Sequence, residues 1–342
     1  MRKVSLSIVV GIASLASMSF SQQGPYQVLK KARVGGAGNF DYVYADEAGR
    51  RLYIPRMGNP GRITVFDLDT LEPAGEIPNA NGHGAAVDAK SGHGFATTKP
   101  VVMWDSKTLA PIKTIDVQGN PDGLMFDPFN QRVYILSHSA PNATVIDAKD
   151  GSVLGTIDLG GAPEQAVSDG KGHVYIDIED EHSIAVVDAK TMKVTGNYDL
   201  AGKGAQCAGL AIDVKNNILF AACRSPQTMV ILSAADGKIL ETLPIGAGAD
   251  GATFNPRTME AFSSQRDGTL TIVKENSPTS FVVEQNLQTM PGAKTLTLDG
   301  KTGHILLIAA ETAPPPTPAP AGGRAGRGQM VPDSFTIVEV GK

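Results

Sequence analysis

The chain has 342 residues and a formal net charge of −5, with 42% hydrophobic and 19% charged residues, 38 glycines and 22 prolines. That composition excludes a disordered chain and leaves ample material for a large core. The mild acidity speaks against a nucleic-acid partner, because neutralising phosphates takes a basic surface. The density of glycine and proline, with few long amphipathic runs, points to an all-β protein with frequent turns.

In chain order the first element is a leader. Arg2 and Lys3 precede an apolar run from Val4 to Phe20, and Ser19 and Ser21 stand at the −3 and −1 positions of a cleavage site before Gln22. Residues 1–21 are therefore expected to be a secretory signal peptide, and the mature protein to be periplasmic or secreted. Gly11 and the interspersed serines argue against a membrane anchor. No transmembrane anchor is expected after cleavage, and a monomer is.

From residue 26 onward a repeat governs the chain. An Asp closing a short apolar run recurs as Asp46, Asp88, Asp127, Asp169 and Asp213, then as Asn255 and Asp299, at intervals of 39–44 residues. Four short strands can be read in each unit. The first unit gives "FDYVYAD", "RRLYIPR", "RITVFDL" and "LEPAGEIP"; the third gives "DGLMFDP", "RVYIL", "NATVIDA" and "SVLGTIDL". A second Asp ends the third strand at Asp67, Asp105, Asp147 and Asp188, and Ser233 and Lys274 take that place later. Such aspartates accept backbone N–H bonds in tight turns, which accounts for them without catalysis.

Four antiparallel strands per period of about 40 residues is the pattern of a β-propeller blade. The landmarks predict seven blades. The seventh unit shows only "KTLTLDG", "HILLIAA" and "SFTIVEV", so "YQVLKKARV" at 26–34 is expected to supply its fourth strand and close the ring. Residues 22–342 thus form one domain. The Pro/Gly/Ala-rich stretch 312–333, between strands 2 and 3 of the last blade, is expected to be a mobile loop.

The phrases "GNPDGLMFDPFNQRVYILS", "ATVIDAKDGSVLGTIDLGGAPE" and "HVYIDIEDEHSIAVVDAKTMKV" resemble the YncE-like, YVTN-repeat seven-bladed propellers. The resemblance covers nearly all of 26–342, although "YIPR", "YILS" and "YIDI" stand where a literal Tyr-Val-Thr-Asn would. It implies an exported bacterial protein. Related propellers include lactonases and a metal-dependent lyase, so the resemblance leaves enzyme and non-enzyme both open.

In a propeller the loops entering strand 1 and those joining strands 2 and 3 share the face at the mouth of the central channel. Five residues before each landmark lie Asp41, His83, Asp122, Glu164, Ala208, Asp250 and Lys294; the strand 2–3 loops add Arg56, His138, His182, Arg224 and Arg266. Asp41, His83, Asp122 and Glu164 could hold a divalent cation, Ca²⁺, Mg²⁺ or Mn²⁺. The arginines could instead bind an anion. A third reading is a hydrated mouth whose charges pair among themselves, Asp250 with Lys294 for example.

Two functions follow. One is a non-enzymatic scaffold that binds a small ligand or a protein partner at this face. The other is a metal-assisted lactonase-like hydrolase or lyase with His83 or His138 as general base. There is no Gly-x-Ser-x-Gly, His-Glu-x-x-His or Cys-x-x-Cys motif. The two cysteines, Cys207 and Cys223, fall on strands 1 and 2 of one unit. They are expected to form a disulfide contributing about 3 kcal/mol at most; buried free thiols are the alternative.

Overall fold

The computed structural model describes residues 24–314 and 329–342. The leader 1–21 and the centre of the Pro/Gly-rich stretch lie outside these residues. Among the described residues 28 strands form seven four-stranded antiparallel sheets. Six sheets are consecutive meanders. The seventh runs in the order Gln27–Arg33, Thr336–Gly341, His304–Ala309, Thr295–Asp299, so the first strand closes the last blade.

The blades are sheets buried on both faces, which is why their second strands are apolar without a break. In blade 3, Val133 and Ile135 of Arg132–Ser137 pack towards blade 2, while Tyr134 and Leu136 pack towards blade 4. The buried side chains fall into seven clusters, one at each junction between neighbouring blades. Trp104 is one of them, fully buried against Tyr53 between blades 1 and 2.

The recurring aspartates serve the turns. The Asp46 carboxylate accepts the N–H groups of Ala48 and Gly49, and Asp88, Asp213 and Asp299 act alike. Asp67, Asp105, Asp147 and Asp188 cap the strand 3–4 turns in the same way. Where Lys274 replaces the Asp no such cap forms. The strands run on, Thr269–Ser277 against Ser280–Gln288, and Lys274 pairs with Val282 inside a longer hairpin.

The expected strand 40–46 is also corrected. Its ladder is only Tyr44–Asp46, with an isolated bridge from Asn39 to Met57, because the intervening chain turns Tyr42 towards the channel. The ends of the 312–333 stretch are paired: Thr312 bridges Met330, and Ala313 N–H donates to Gln329 O.

Ring closure is fastened from several sides. Tyr26 N–H donates to Gln285 Oε1 at 2.9 Å and the Gln285 amide returns a bond to Tyr26 O at 2.8 Å. Buried Glu260 takes the Tyr26 hydroxyl and, at 2.8 Å, the Lys342 ammonium. On the face with the strand 1–2 turns, Arg50 of blade 1 grips Asp299 of blade 7 through two bonds of 2.8 Å. Burial disfavours the Asp299 carboxylate, but Arg50 and the Thr302 hydroxyl outweigh this and hold its pKa down at about 2.

Removing residues 24–34 is expected to leave Thr336–Gly341 as an open edge. Circular dichroism melts should lose cooperativity and size-exclusion profiles should show aggregates; an unchanged melt would contradict the closure.

A second expectation concerns Glu275, 3% exposed, which accepts a bond from Asn216 at 2.6 Å. Burial, with Asp213 nearby, raises its pKa to about 7. A carboxyl raised on folding binds protons more tightly in the native state, so stability falls as pH climbs from the unfolded pKa of 4.5 through about 7. Glu275→Gln should be neutral near pH 4 and stabilising at pH 8, by on the order of 2 kcal/mol in denaturant titrations.

Candidate functional site at the channel mouth

The innermost strands place the polar side chains by a shared irregularity. Register breaks between Pro121 and Leu124, Pro163 and Ala166, Cys207 and Gly209, and Ala249 and Gly251. These bulges hold Asp122, Glu164, Ala208 and Asp250, the positions five residues before each landmark. A bulge turns a side chain out of the pleat, here towards the axis. Glycine follows at three of them, and at two of these there is no room for a side chain: a Cβ on Gly123 would meet Glu164 O at 2.6 Å, and one on Gly209 would meet Gly251 C at 2.6 Å.

The side chains form one chain of contacts. His83 Nδ1 lies 2.8 Å from Asp41 Oδ2 and 3.1 Å from Asp122 Oδ1. Asp41 Oδ1 takes the Lys294 ammonium at 2.7 Å. Lys294 also pairs with Asp250, which further binds Arg224 and, at 3.0 Å, Arg266. Arg224 continues to Glu179, whose other oxygen lies 3.1 Å from His138 Nε2. His138 Nε2 is 3.8 Å from Glu164 Oε1, and Glu164 Oε2 accepts the Tyr42 hydroxyl at 3.0 Å from across the ring.

The electrostatics divide the mouth. The three permanent cations, Arg224, Arg266 and Lys294, come from blades 5 to 7 and converge on Asp250. Burial opposes the Arg224 charge, but Asp250 and Glu179 outweigh it and raise its pKa. Burial also opposes the Asp41 carboxylate; the His83 hydrogen bond and the Lys294 charge prevail and lower its pKa. The same bond to Asp41 raises His83.

Blades 3 and 4 are acid-rich. Burial, with Asp41 adding to it, raises Asp122. Burial, then the charges of Glu179 and Asp122, push Glu164 up to about 8. Asp177, on blade 4 strand 2 (His173–Ile178), is fully buried with neither oxygen hydrogen-bonded. Burial, then Glu164 and Glu179, raise it well above the carboxylate range.

Of the expected residues, Asp41, His83, Asp122, His138, Glu164, Arg224, Asp250, Arg266 and Lys294 meet at this mouth. The four expected cation ligands do not form one group: Asp41, His83 and Asp122 cluster, while Glu164 joins His138 and Glu179. Arg56 is elsewhere. It is 1% exposed, its guanidinium lies 3.2 Å above the Phe335 ring, and Nη2 donates to Gly35 O. Burial brings its pKa to about 10, and its role is packing between blades 7 and 1. His182 is exposed, its Nδ1 2.9 Å from Glu179 O, outside the network.

Sequence reasoning missed Tyr42, Glu179, Asp177 and Gln165. Gln165 stands where other blades carry glycine. Its Oε1 accepts Leu210 N–H and Ala252 N–H at 3.0 and 3.1 Å, and its amide donates to Ala252 O at 3.0 Å, so blade 4 is tied to blades 5 and 6. The network opens into a cleft of about 800 Å³ bordered by Asn39, Asp41, His83, Arg266, Lys294 and Thr312. A separate groove of about 610 Å³ lies on the opposite face by Asp169 and His173; there the Tyr175 and Tyr198 hydroxyls both bind Ala234 O. Cys207 and Cys223 are directly paired across strands 1 and 2 of blade 5 and joined by a disulfide, next to Arg224.

No protein-family model matches the sequence, and no curated protein matches it. Among solved structures the chain is similar to one titled "Crystal Structure of Mitotic Checkpoint Complex", with a TM-score of 0.69 over 90% of this chain and 95% of that chain, at 11% identity. That likeness is one of fold.

Asp250, 6% exposed, is the common counter-ion of three cations. Asp250→Ala is expected to lower unfolding free energy by about 1–3 kcal/mol, because the partly buried Arg224 and Lys294 each lose one of two carboxylate partners. Arg266→Gln, at a half-exposed side chain, should cost about 1 kcal/mol or less. Urea titration of both variants checks the contrast.

Proposed function

We propose that this chain is an exported propeller of the YncE-like, YVTN-repeat kind, and that it works as a binding scaffold whose ligand or protein partner seats at the channel mouth. The observation that carries the reading is the convergence of charged side chains from the strand-1 entrances of six blades beside one open cleft. Stability does not call for it: ion pairs taken out of water contribute little over apolar packing, so a concentration of them marks a site. Fold likeness alone names no ligand. The disulfide supports export, since such bonds persist in oxidising compartments.

The mouth is bipolar, with cations over blades 5 to 7 and carboxyls over blades 3 and 4. It therefore suits a ligand that carries both charges, such as an amino acid or the end of a peptide. A second reading, a metal-assisted hydrolase or lyase, draws on the presence of two groups that each join one histidine to two carboxylates.

The test is a fluorimetric melting screen of the purified protein against amino acids and dipeptides, with the Asp122→Ala/Glu164→Ala variant in parallel. Both carboxyls are disfavoured as charges where they sit, so the variant should keep the wild-type melting point or exceed it. A probe that raises the wild-type midpoint and leaves the variant unmoved supports the site. A probe that stabilises both equally places binding elsewhere.

A further inference from the structure

The two histidine–carboxylate groups are not equivalent. In the first, the Lys294 ammonium already sits on Asp41 at 2.7 Å, and His83 turns a single nitrogen to both acids. Each group carries one fixed positive charge, Lys294 on Asp41 in the first and Arg224 on Glu179 in the second. In the second, His138, Glu164 and Glu179 bring one donor atom each within 4.8 Å of the others.

The protein holds the outer oxygen of each of these two carboxylates and presents the inner one. Tyr42 donates to Glu164 Oε2 and Arg224 to Glu179 Oε1, which leaves Glu164 Oε1 and Glu179 Oε2 facing His138 Nε2 at 3.8 and 3.1 Å. Ligands about 2.0–2.2 Å from a shared ion stand roughly 3–3.5 Å apart, so little movement would complete the set. Outer partners of this kind are what orient ligands around an ion.

Asp177 is the independent sign. It lies inside the strand His173–Ile178, two residues before Glu179 in the turn that follows, fully buried, with both oxygens unpartnered, and the charges acting on it are Glu164, Glu179 and Arg224. His138, Glu164, Glu179 and Arg224 line a pocket of about 260 Å³, and Asp177 is not on its wall. The pocket is lined by five carboxylates, Asp41, Asp122, Glu164, Glu179 and Asp250, against three permanent cations. The carboxyl groups outnumber these cations by two.

We infer that His138, Glu164 and Glu179 form the seat of one first-row divalent cation, Mn²⁺ or Zn²⁺, with Asp177 as the buried acid behind it. The imidazole favours such an ion over Ca²⁺, which takes six to eight oxygens. The remaining positions face solvent beside His138, whose side chain is 42% exposed, so a carboxylate of an incoming ligand could complete the shell. This inference rests on the channel-mouth reading and names a component of that site.

The experiment is calorimetric titration of the chelator-stripped full chain with MnCl₂ and with ZnCl₂. Mn²⁺ binding is followed in parallel by loss of the free-ion electron paramagnetic resonance signal. One ion per chain is expected. His138→Ala and Glu164→Gln should each weaken binding at least about tenfold, the usual cost of losing a ligand or its support. His83→Ala should leave it unchanged. His138 is exposed, and His138→Gln with a matching circular dichroism spectrum guards against a folding artefact.

No saturable binding of either ion up to about 1 mM, the weak end of protein cation sites, would overturn the seat. So would binding that His83→Ala abolishes and His138→Ala spares. If metal binding fails while amino-acid or peptide binding still depends on Asp122 and Glu164, the cation seat falls and the channel-mouth reading stands.

Discussion

The pairing of Gln27–Arg33 with Thr336–Gly341 is the constraint on which the rest depends. A four-stranded sheet buried on both faces is stable only with a neighbour on each side, and seven such sheets satisfy that only as a closed ring. The joint runs between blades 7 and 1, and both ends of it carry ions. Arg50 and Asp299 lock the face with the strand 1–2 turns, and Lys294 and Asp41 lock the channel mouth. Closure of the ring therefore completes the polar site, because Asp41 meets Lys294 only when blade 7 is in place.

Blade number, the landmark turns and the closing strand were visible in the sequence because each rests on a local rule repeated several times. An Asp that caps a turn by accepting backbone N–H groups must stand at a fixed distance from the strand it ends, so its spacing survives changes in the residues between. Lys274 shows the limit. Without a capping carboxylate the hairpin lengthens, and no spacing rule announces by how much.

The site was visible in part for the same reason. Strand-1 entrances share one offset, and the bulges bring Asp122, Glu164 and Asp250 to the axis at that offset. Glu179 was hidden beside Asp180 and Glu181, because all three lie in the turn after His173–Ile178 and only the folded turn decides which acid faces inward. Asp177 sits inside "HVYIDI", an apolar strand pattern that masks a buried carboxyl. Tyr42 and Gln165 act across the ring, a relation that no periodicity along the chain records. Arg56 failed for the opposite reason: it is the last residue of the strand Arg51–Arg56 and not part of the loop, and its guanidinium lies over the Phe335 ring.

Gln165 has a mechanical consequence. Every other fastening described above joins neighbours around the hoop, but this side chain runs to the backbone of both Leu210 and Ala252, and Tyr42 spans from blade 1 to Glu164. These are chords. A hoop held only at its rim can ovalise, with opposite blades moving apart while each seam stays intact. Two chords that cross the interior suppress that mode, so the distances between charges on opposite blades are set by covalent side-chain lengths as well as by rim packing. Substituting glycine at 165, the residue most common at that place in the other blades, would leave the apolar packing of every seam and still let the ring breathe.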